Sequence, residues 1–270
     1  MRIHYSFFLP IVCLVAACTP AATIDRERLP EQVVAAIDEV RTQYTPDQRV
    51  ALLDTRGTAL TTGRKNHIVL RGVTTSTEAK VSLSENLAKA GYTVTDSLRV
   101  LPDARSLNDK VYGIVNLSVI NIRSAADYSS EMVTQALLGM PVRLLQRDGW
   151  LRLQTPDNYI GWTHSTSVTP MTKAEYDAWN RSEKLVVTAH YGFAYAAPTL
   201  ASQTVGDVVA GNRFRLLGVS GYFYHVAYPD GKRAYIPHTL AIPEHEWRTS
   251  LKQDATSIIA TAHTLMGIPF

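Results

Sequence analysis

An internal repeat in the second half of this 270-residue chain limits its folding options most. A first copy reads Gly139-Met140-Pro141-Val142-Arg143-Leu144-Leu145, then Asp148-Gly149-Trp150-Leu151-Arg152-Leu153, then Pro156-Asp157 and Tyr159-Ile160-Gly161-Trp162. A second reads Gly211-Asn212-Arg213-Phe214-Arg215-Leu216-Leu217, then Ser220-Gly221-Tyr222-Phe223, then Pro229-Asp230-Gly231 and Tyr235-Ile236-Pro237. Gly139 to Gly211, Leu144 to Leu216 and Trp150 to Tyr222 are each 72 residues apart. Pro156 to Pro229 is 73, and the offset grows to 76 from Tyr159 to Tyr235, which predicts a longer second hairpin turn. Such self-similarity marks two copies of one structural unit. The Asp-Gly and Pro-Asp pairs are hairpin turn signals. Between them, aromatic and β-branched residues alternate with polar ones, giving each strand one buried face. Each copy therefore reads as a small β-barrel. An apolar tail closes each, with Tyr176 and Trp179 in the first and Trp247 in the second.

Upstream the periodicity changes. Val33, Val34, Ile37 and Val40 recur at helical spacing after Pro30, which suits a first helical turn. Residues 49–54 (RVALLD) and 67–71 (HIVLR) read as short strands. Thr75 or Ser76 can cap a helix that turns Ala79, Leu83 and Leu87 inward and ends at Gly91. Residues 92–101 alternate as a third strand. The expected class is mostly β, with a small α/β N-terminal domain over 29–105. Residues 103–110 read as a polar linker and 249–265 as a C-terminal helix.

The N-terminus carries a different signal. A basic start, a short apolar run and small residues precede Cys18, the layout of a secretory signal peptide. The run of about a dozen apolar residues is interrupted by Pro10 and is too short to span a bilayer core of about 30 Å. Leu14-Val15-Ala16-Ala17-Cys18 resembles the lipobox of bacterial lipoproteins. That resemblance implies cleavage before Cys18, lipid attachment at its sulfur and residues 19–28 as a tether. Thr19 in place of Asp implies an outer-membrane lipoprotein facing the periplasm. Both cysteines, Cys13 and Cys18, lie in this leader, so residues 19–270 hold no thiol.

Composition narrows the chemistry. The formal charge of +3 falls to about +2 once the leader and its Arg2 are removed. No Lys/Arg stripe with interleaved aromatics is present, so no nucleic-acid partner is expected. Neither a Gly-x-Ser-x-Gly elbow nor a phosphate loop occurs. His225, His238 and His245, with Glu244 and Glu246, lack His-Glu-x-x-His spacing, so no metal and no cofactor are expected. Trp150, Trp162, Tyr222 and Tyr224 can serve as barrel core or as a sugar-binding surface.

Asn121-Ile122-Arg123-Ser124, Ser130-Glu131-Met132-Val133-Thr134-Gln135-Ala136-Leu137-Leu138-Gly139, Asp148-Gly149-Trp150 and Tyr159-Ile160-Gly161-Trp162 resemble a bacterial SH3-like domain of NlpC-type cell-wall cysteine peptidases. These are γ-D-glutamyl–diamino acid endopeptidases of the dipeptidyl-peptidase VI kind. The resemblance implies two tandem SH3-like β-barrels, over 111–180 and, more loosely, 185–247. Leu265-Met266-Gly267-Ile268-Pro269-Phe270 resembles the opening of that family's catalytic domain, which continues to Trp-Gly-Gly and Asp-Cys-Ser-Gly. The sequence stops before those motifs, so a fragment and a truncated homologue both stay open. No residue here takes the cysteine or histidine role. His263 reads as a helix-surface residue, and the chain alone is expected to be inactive. What the resemblance carries over is a partner, the L-Ala-γ-D-Glu-diamino acid stem peptide of peptidoglycan. It further implies that Glu131 and Tyr159 hold the peptide's free amine, with Tyr128 as a second aromatic candidate. A carboxylate facing an ammonium is sound pairing. The rival reading is a non-enzymatic SH3-like binding lipoprotein, a monomer held to the membrane by the lipid on Cys18.

Overall fold

The computed structural model describes residues 29–55 and 67–267. The leader, Cys18, the 19–28 tether and residues 268–270 of the C-terminal motif lie outside the described residues.

The N-terminal part holds α1 (Glu31–Tyr44), β1 (Leu53–Asp54), β2 (His67–Thr74), α2 (Thr77–Lys89) and β3 (Thr93–Val100). The strands form one sheet in the order β1-β2-β3, with β2 and β3 parallel across α2. Val33, Ile37 and Val40 of α1 and Ala79, Leu83 and Leu87 of α2 pack against Ile68, Leu70 and Leu98. Ser76 starts α2 by accepting the Ala79 amide at 3.0 Å. Gly91, at φ +86°, ends it. The strand expected over 49–54 shrinks to Leu53–Asp54, because the Asp47 carbonyl takes the amides of Val50 and Ala51 and makes a turn there.

Two seven-stranded antiparallel sheets follow. The first holds β4 (Tyr112–Val115), β5 (Val119–Arg123), β6 (Met132–Leu137), β7 (Pro141–Asp148), β8 (Trp150–Gln154), β9 (Ile160–His164) and β10 (Val168–Met171), then α3 (Lys173–Arg181). The second holds β11 (Lys184–Val187), β12 (Tyr191–Tyr195), β13 (Thr204–Val209), β14 (Arg213–Ser220), β15 (Phe223–Ala227), β16 (Arg233–Pro237) and β17 (Ala241–Pro243), then α4 (Glu244–Ser250). Their neighbour orders are β10-β4-β7-β8-β9-β5-β6 and β17-β11-β14-β15-β16-β12-β13, the same path through seven strands. The irregularities repeat as well. Ladders slip at Leu144/Gln146 and at Leu216/Gly218, and again at Ile122/Arg123 and at Ala194/Tyr195.

Several sequence expectations need correcting. The strands form open runs with edges at β6, β10, β13 and β17 rather than closed barrels. The 76-residue offset is also wrong. Trp162, not Tyr159, corresponds to Tyr235: Arg123 pairs Trp162 in the first sheet as Tyr195 pairs Tyr235 in the second. The hairpin from Gln154 to Ile160 is as long as that from Ala227 to Arg233, so the second turn is not extended. Residues 103–110 are not a free linker. Leu107 is buried in the first sheet's core, and the Asp103 amide donates to the Leu145 carbonyl at 2.7 Å. The helix expected over 249–265 is instead α4 and a separate α5 (Ala255–His263), which Asp254 caps by accepting the Ser257 amide at 2.8 Å.

Three bodies meet through specific contacts. Leu145 and Ile160 of the first sheet share a cluster with Leu52, Val73 and Leu101 of the N-terminal part. The Ile160 amide donates to the Arg49 carbonyl at 2.7 Å. Between the large sheets, corresponding turns touch. The Arg213 amide donates to the Leu138 carbonyl at 2.9 Å, Asn212 Nδ2 donates to the Ser118 carbonyl at 2.8 Å, and Leu138 sits in the second sheet's core. A Cβ on Gly139, at φ +85°, would lie 2.3 Å from the Arg213 carbonyl oxygen.

Lys184, at the start of β11, is 6 % exposed. Its ammonium donates to the Trp179 carbonyl and to the Ser182 carbonyl at 2.7 Å. Burial pulls its pKa down from 10.5 to about 8.

Three outcomes are expected. Gly139→Ala should cost about 3 kcal/mol in urea melts, combining strain at positive φ with backbone collision. Gly149→Ala, at φ +68° but in open space, should cost about 1–2 kcal/mol. Between pH 8 and 10.5 the unfolded chain keeps a Lys184 proton that the folded chain has released, so this group makes stability rise with pH there. Thermal melts across that window should show the rise in the parent chain and lack it in Lys184→Met.

Candidate functional site

The loop between β5 and β6, residues 124–131, is held by its own polar groups. Arg123 Nη1 donates to the Ser130 carbonyl at 2.7 Å, and the Ser124 amide donates to the Glu131 carbonyl at 2.9 Å. Ser130 Oγ donates to the carbonyls of Asp127 at 2.6 Å and Ala125 at 3.0 Å. Asp127 accepts the Ser129 amide at 2.9 Å, and this bond lowers its carboxyl pKa below the ordinary value. Ser and Asp favour such local side-chain to backbone bonds, which is why this polar stretch forms a defined loop.

The loop carries Tyr128 back onto the sheet. Its ring, 67 % exposed, meets Trp150 edge-on at 4.8 Å and lies stacked 6.3 Å from His164. Trp150 and His164 are cross-strand partners on β8 and β9, with ring centroids 6.0 Å apart. One exposed and two half-exposed rings therefore form a shallow platform with polar edges, suited to stacking or to a cation. The second sheet places Phe223 and Pro237 at the positions of Trp150 and His164. With Leu200, Tyr222 and His238 they line an apolar groove of about 500 Å³, in which Tyr222 is 86 % exposed.

Glu131 is exposed immediately before β6, in the same loop as Tyr128. Tyr159 is half-buried just before β9 and faces the N-terminal part, with the Arg49 guanidinium 6.0 Å from its ring centre. Asp47 holds that guanidinium through bonds of 2.9 and 2.8 Å, and Arg49 in turn brings the Asp47 carboxyl down to about 2. No hydrogen bond, ion pair or ring contact among the described residues joins Glu131 to Tyr159. Of the four aromatics read as core or sugar surface, Tyr222 is exposed. Trp150 is half-buried in the platform, Trp162 lies against Arg152 at 4.6 Å, and Tyr224 meets His238 at a tilt, with ring centroids 4.2 Å apart. The histidines weighed as metal ligands lie apart: His225 stacks on Tyr235, and His245 sits beside Glu183 and Glu246. Sequence reasoning missed His164, whose part is visible only once β8 and β9 are paired. It also missed Gln146 and Arg152, which neighbour Trp162 across the ladder.

Residues 122–168, which contain the loop and the platform, match the family model of the bacterial dipeptidyl-peptidase SH3 domain. No curated protein matches the chain. Among solved structures, an NlpC/P60 family protein from Bacillus cereus is 19 % identical, with a TM-score of 0.41, covering 48 % of this chain and 55 % of its own. An NlpC/P60 endopeptidase from Photobacterium damselae subsp. piscicida is 13 % identical, with a TM-score of 0.36, covering 51 % and 33 %. This chain thus spans about half the first structure's length and a third of the second's.

Removing the Arg123 clamp should loosen the loop without unfolding the sheet. In Arg123→Ala, hydrogen exchange is expected to accelerate across 124–131, by up to about tenfold for one lost charge-assisted bond, while β7 and β8 stay protected.

Proposed function

We propose that this chain is the recognition part of a cell-wall peptidase, binding the L-Ala-γ-D-Glu-diamino acid stem peptide of peptidoglycan. The observation that carries the reading is the coincidence of the SH3 family match, residues 122–168, with the Tyr128–Trp150–His164 platform and with an exposed Glu131 in the loop that carries Tyr128. In this reading the free amine of the peptide pairs with Glu131. Tyr128 and Trp150 pack on its apolar atoms. Tyr159, engaged with Arg49, closes the end nearer the N-terminal part. The second sheet acts as a second SH3-like domain, since it repeats the strand order and the bulges of the first. Lipid on Cys18 would hold the protein on the outer membrane, facing the periplasm.

Because both cysteines lie in the leader, residues 19–270 supply a binding surface and no thiol nucleophile. Thiol-based hydrolysis would then need a cysteine that residues 19–270 do not hold.

Calorimetric titration of the full chain with L-Ala-γ-D-Glu-diaminopimelate tests the reading. Saturable binding is expected. N-acetylation of the peptide and Glu131→Gln should each weaken it by roughly fivefold, the worth of one exposed ion pair of ~1 kcal/mol. Equal affinity for the free and acetylated peptides would remove the amine site. Absence of binding would remove the stem peptide as ligand.

A further inference from the structure

Among the described residues, α5 is the helix with least beneath it. It has nine residues, and every residue from 251 to 267 is exposed except half-buried Ser257. The side-chain bonds at its ends and along it stay within 254–266. An isolated helix of that length is marginal in water, so α5 needs a surface to lie on. Ile258, Ile259, Ala262, Leu265 and Met266 fall at i, i+1, i+4, i+7 and i+8, one stripe along its side. The four large side chains of that stripe are between 49 and 73 % exposed.

The second sheet offers a surface of the same character. Cross-strand partners Phe223 and Pro237 line its groove of about 500 Å³, together with Leu240. Gly192 leaves room for Leu240, whose Cδ1 would lie 2.6 Å from a Cβ there. Tyr195 meets Phe223 edge-on at 6.3 Å, and Leu200 and Tyr222 stand exposed at the groove. No Asp, Glu, Lys or Arg lines the groove, and none lies in residues 255–267. Contact between the two therefore buries apolar surface without stranding an ion. Apolar anchors at this spacing suit a helix laid in a groove. A lipid surface is the poorer match, because interfacial helices carry Lys or Arg on the polar face. Across from its stripe α5 has Thr256, Ser257, Ala260 and Thr264.

No residue of α5 lines the groove of its own chain, so stripe and groove are both open in a single copy. We propose that α5 of one copy lays this stripe in the second-sheet groove of another copy of the same chain. Each copy brings one stripe and one groove. A reciprocal two-fold exchange covers both, whereas a one-way contact would leave one of each open to a further copy. Neither surface belongs to the Tyr128 platform, so the exchange and the stem-peptide reading can fail separately.

The test is sedimentation velocity of the full chain from about 1 to about 100 μM, a range that brackets micromolar association. A shift from the 29.9 kDa monomer toward twice that mass is expected. Ile258→Asp on the stripe and Leu200→Asp at the groove should each raise the dissociation constant by about a hundredfold, since either would bury an unpaired charge. Both side chains are exposed in a single copy, so neither substitution touches a core. Ala260→Glu adds the same charge on the other side of α5 and should leave the association unchanged. Mixing the two Asp variants should restore part of it, because the stripe of Leu200→Asp still meets the groove of Ile258→Asp. A monomer throughout, a dimer that both Asp variants leave intact, or equal weakening by Ala260→Glu overturns the exchange. Binding of the monomer to phosphatidylethanolamine–phosphatidylglycerol vesicles, lost in Ile258→Asp, would assign the stripe to lipid and also overturn it.

Discussion

The bulge at Leu144–Gln146 in β7 is the constraint on which the rest of the first half depends. A regular strand would send Leu145 and Gln146 to opposite faces in simple alternation. The extra residue twists the strand and re-aims both. Leu145, fully buried, enters the cluster with Leu52, Val73 and Leu101 and ties the N-terminal helices and strands to the sheet. Gln146 joins a rung with Arg152 and Trp162 that lines a cleft of about 370 Å³ beside Asp54 and Val73 of the N-terminal part. One inserted residue thus joins two bodies and places a buried amide where they meet.

The second sheet shows what this device does when nothing covers it. Its bulge lies at the same place, yet Leu217, which corresponds to Leu145, is exposed, and Gly218 stands where Gln146 would be. Arg233 replaces Ile160 at the matching site. A face meant for packing has become a face meant for water. The same backbone therefore carries two different rungs: Gln146, Arg152 and Trp162 beside the N-terminal part, and Gly218, His225 and Tyr235 in the second sheet.

Much of this was legible in the sequence, for physical reasons that can be named. The 72-residue spacing of glycines and aromatics works because turns and core positions tolerate few residue types, so Gly139 and Gly211 announce equivalent turns. The helices over 31–44 and 77–89 follow from apolar spacing and the Ser76 cap. The register of the last hairpins was misread, because a matching Tyr159 and Tyr235 outweighed the pairing of Trp162 with Arg123. Side-chain identity alone cannot separate neighbours on one strand. Tyr128 and Glu131 could be named from their motif. The platform they border could not, since His164 reaches Tyr128 only through strand pairing distant in sequence. The cleft was equally invisible, because Asp54 and Gln146 come together only once the bulge has turned.

Leu138 ends the first sheet's loop in sequence, but its side chain fills the second sheet's core. Water and chain connectivity therefore draw different borders here. Cutting at the Ser182–Glu183 connection would release a second sheet with an open hole in its centre. A functional exchange of these modules among proteins would have to carry the 137–140 turn along with the second sheet. The unit that can be inherited, or borrowed by an engineer, is the pair.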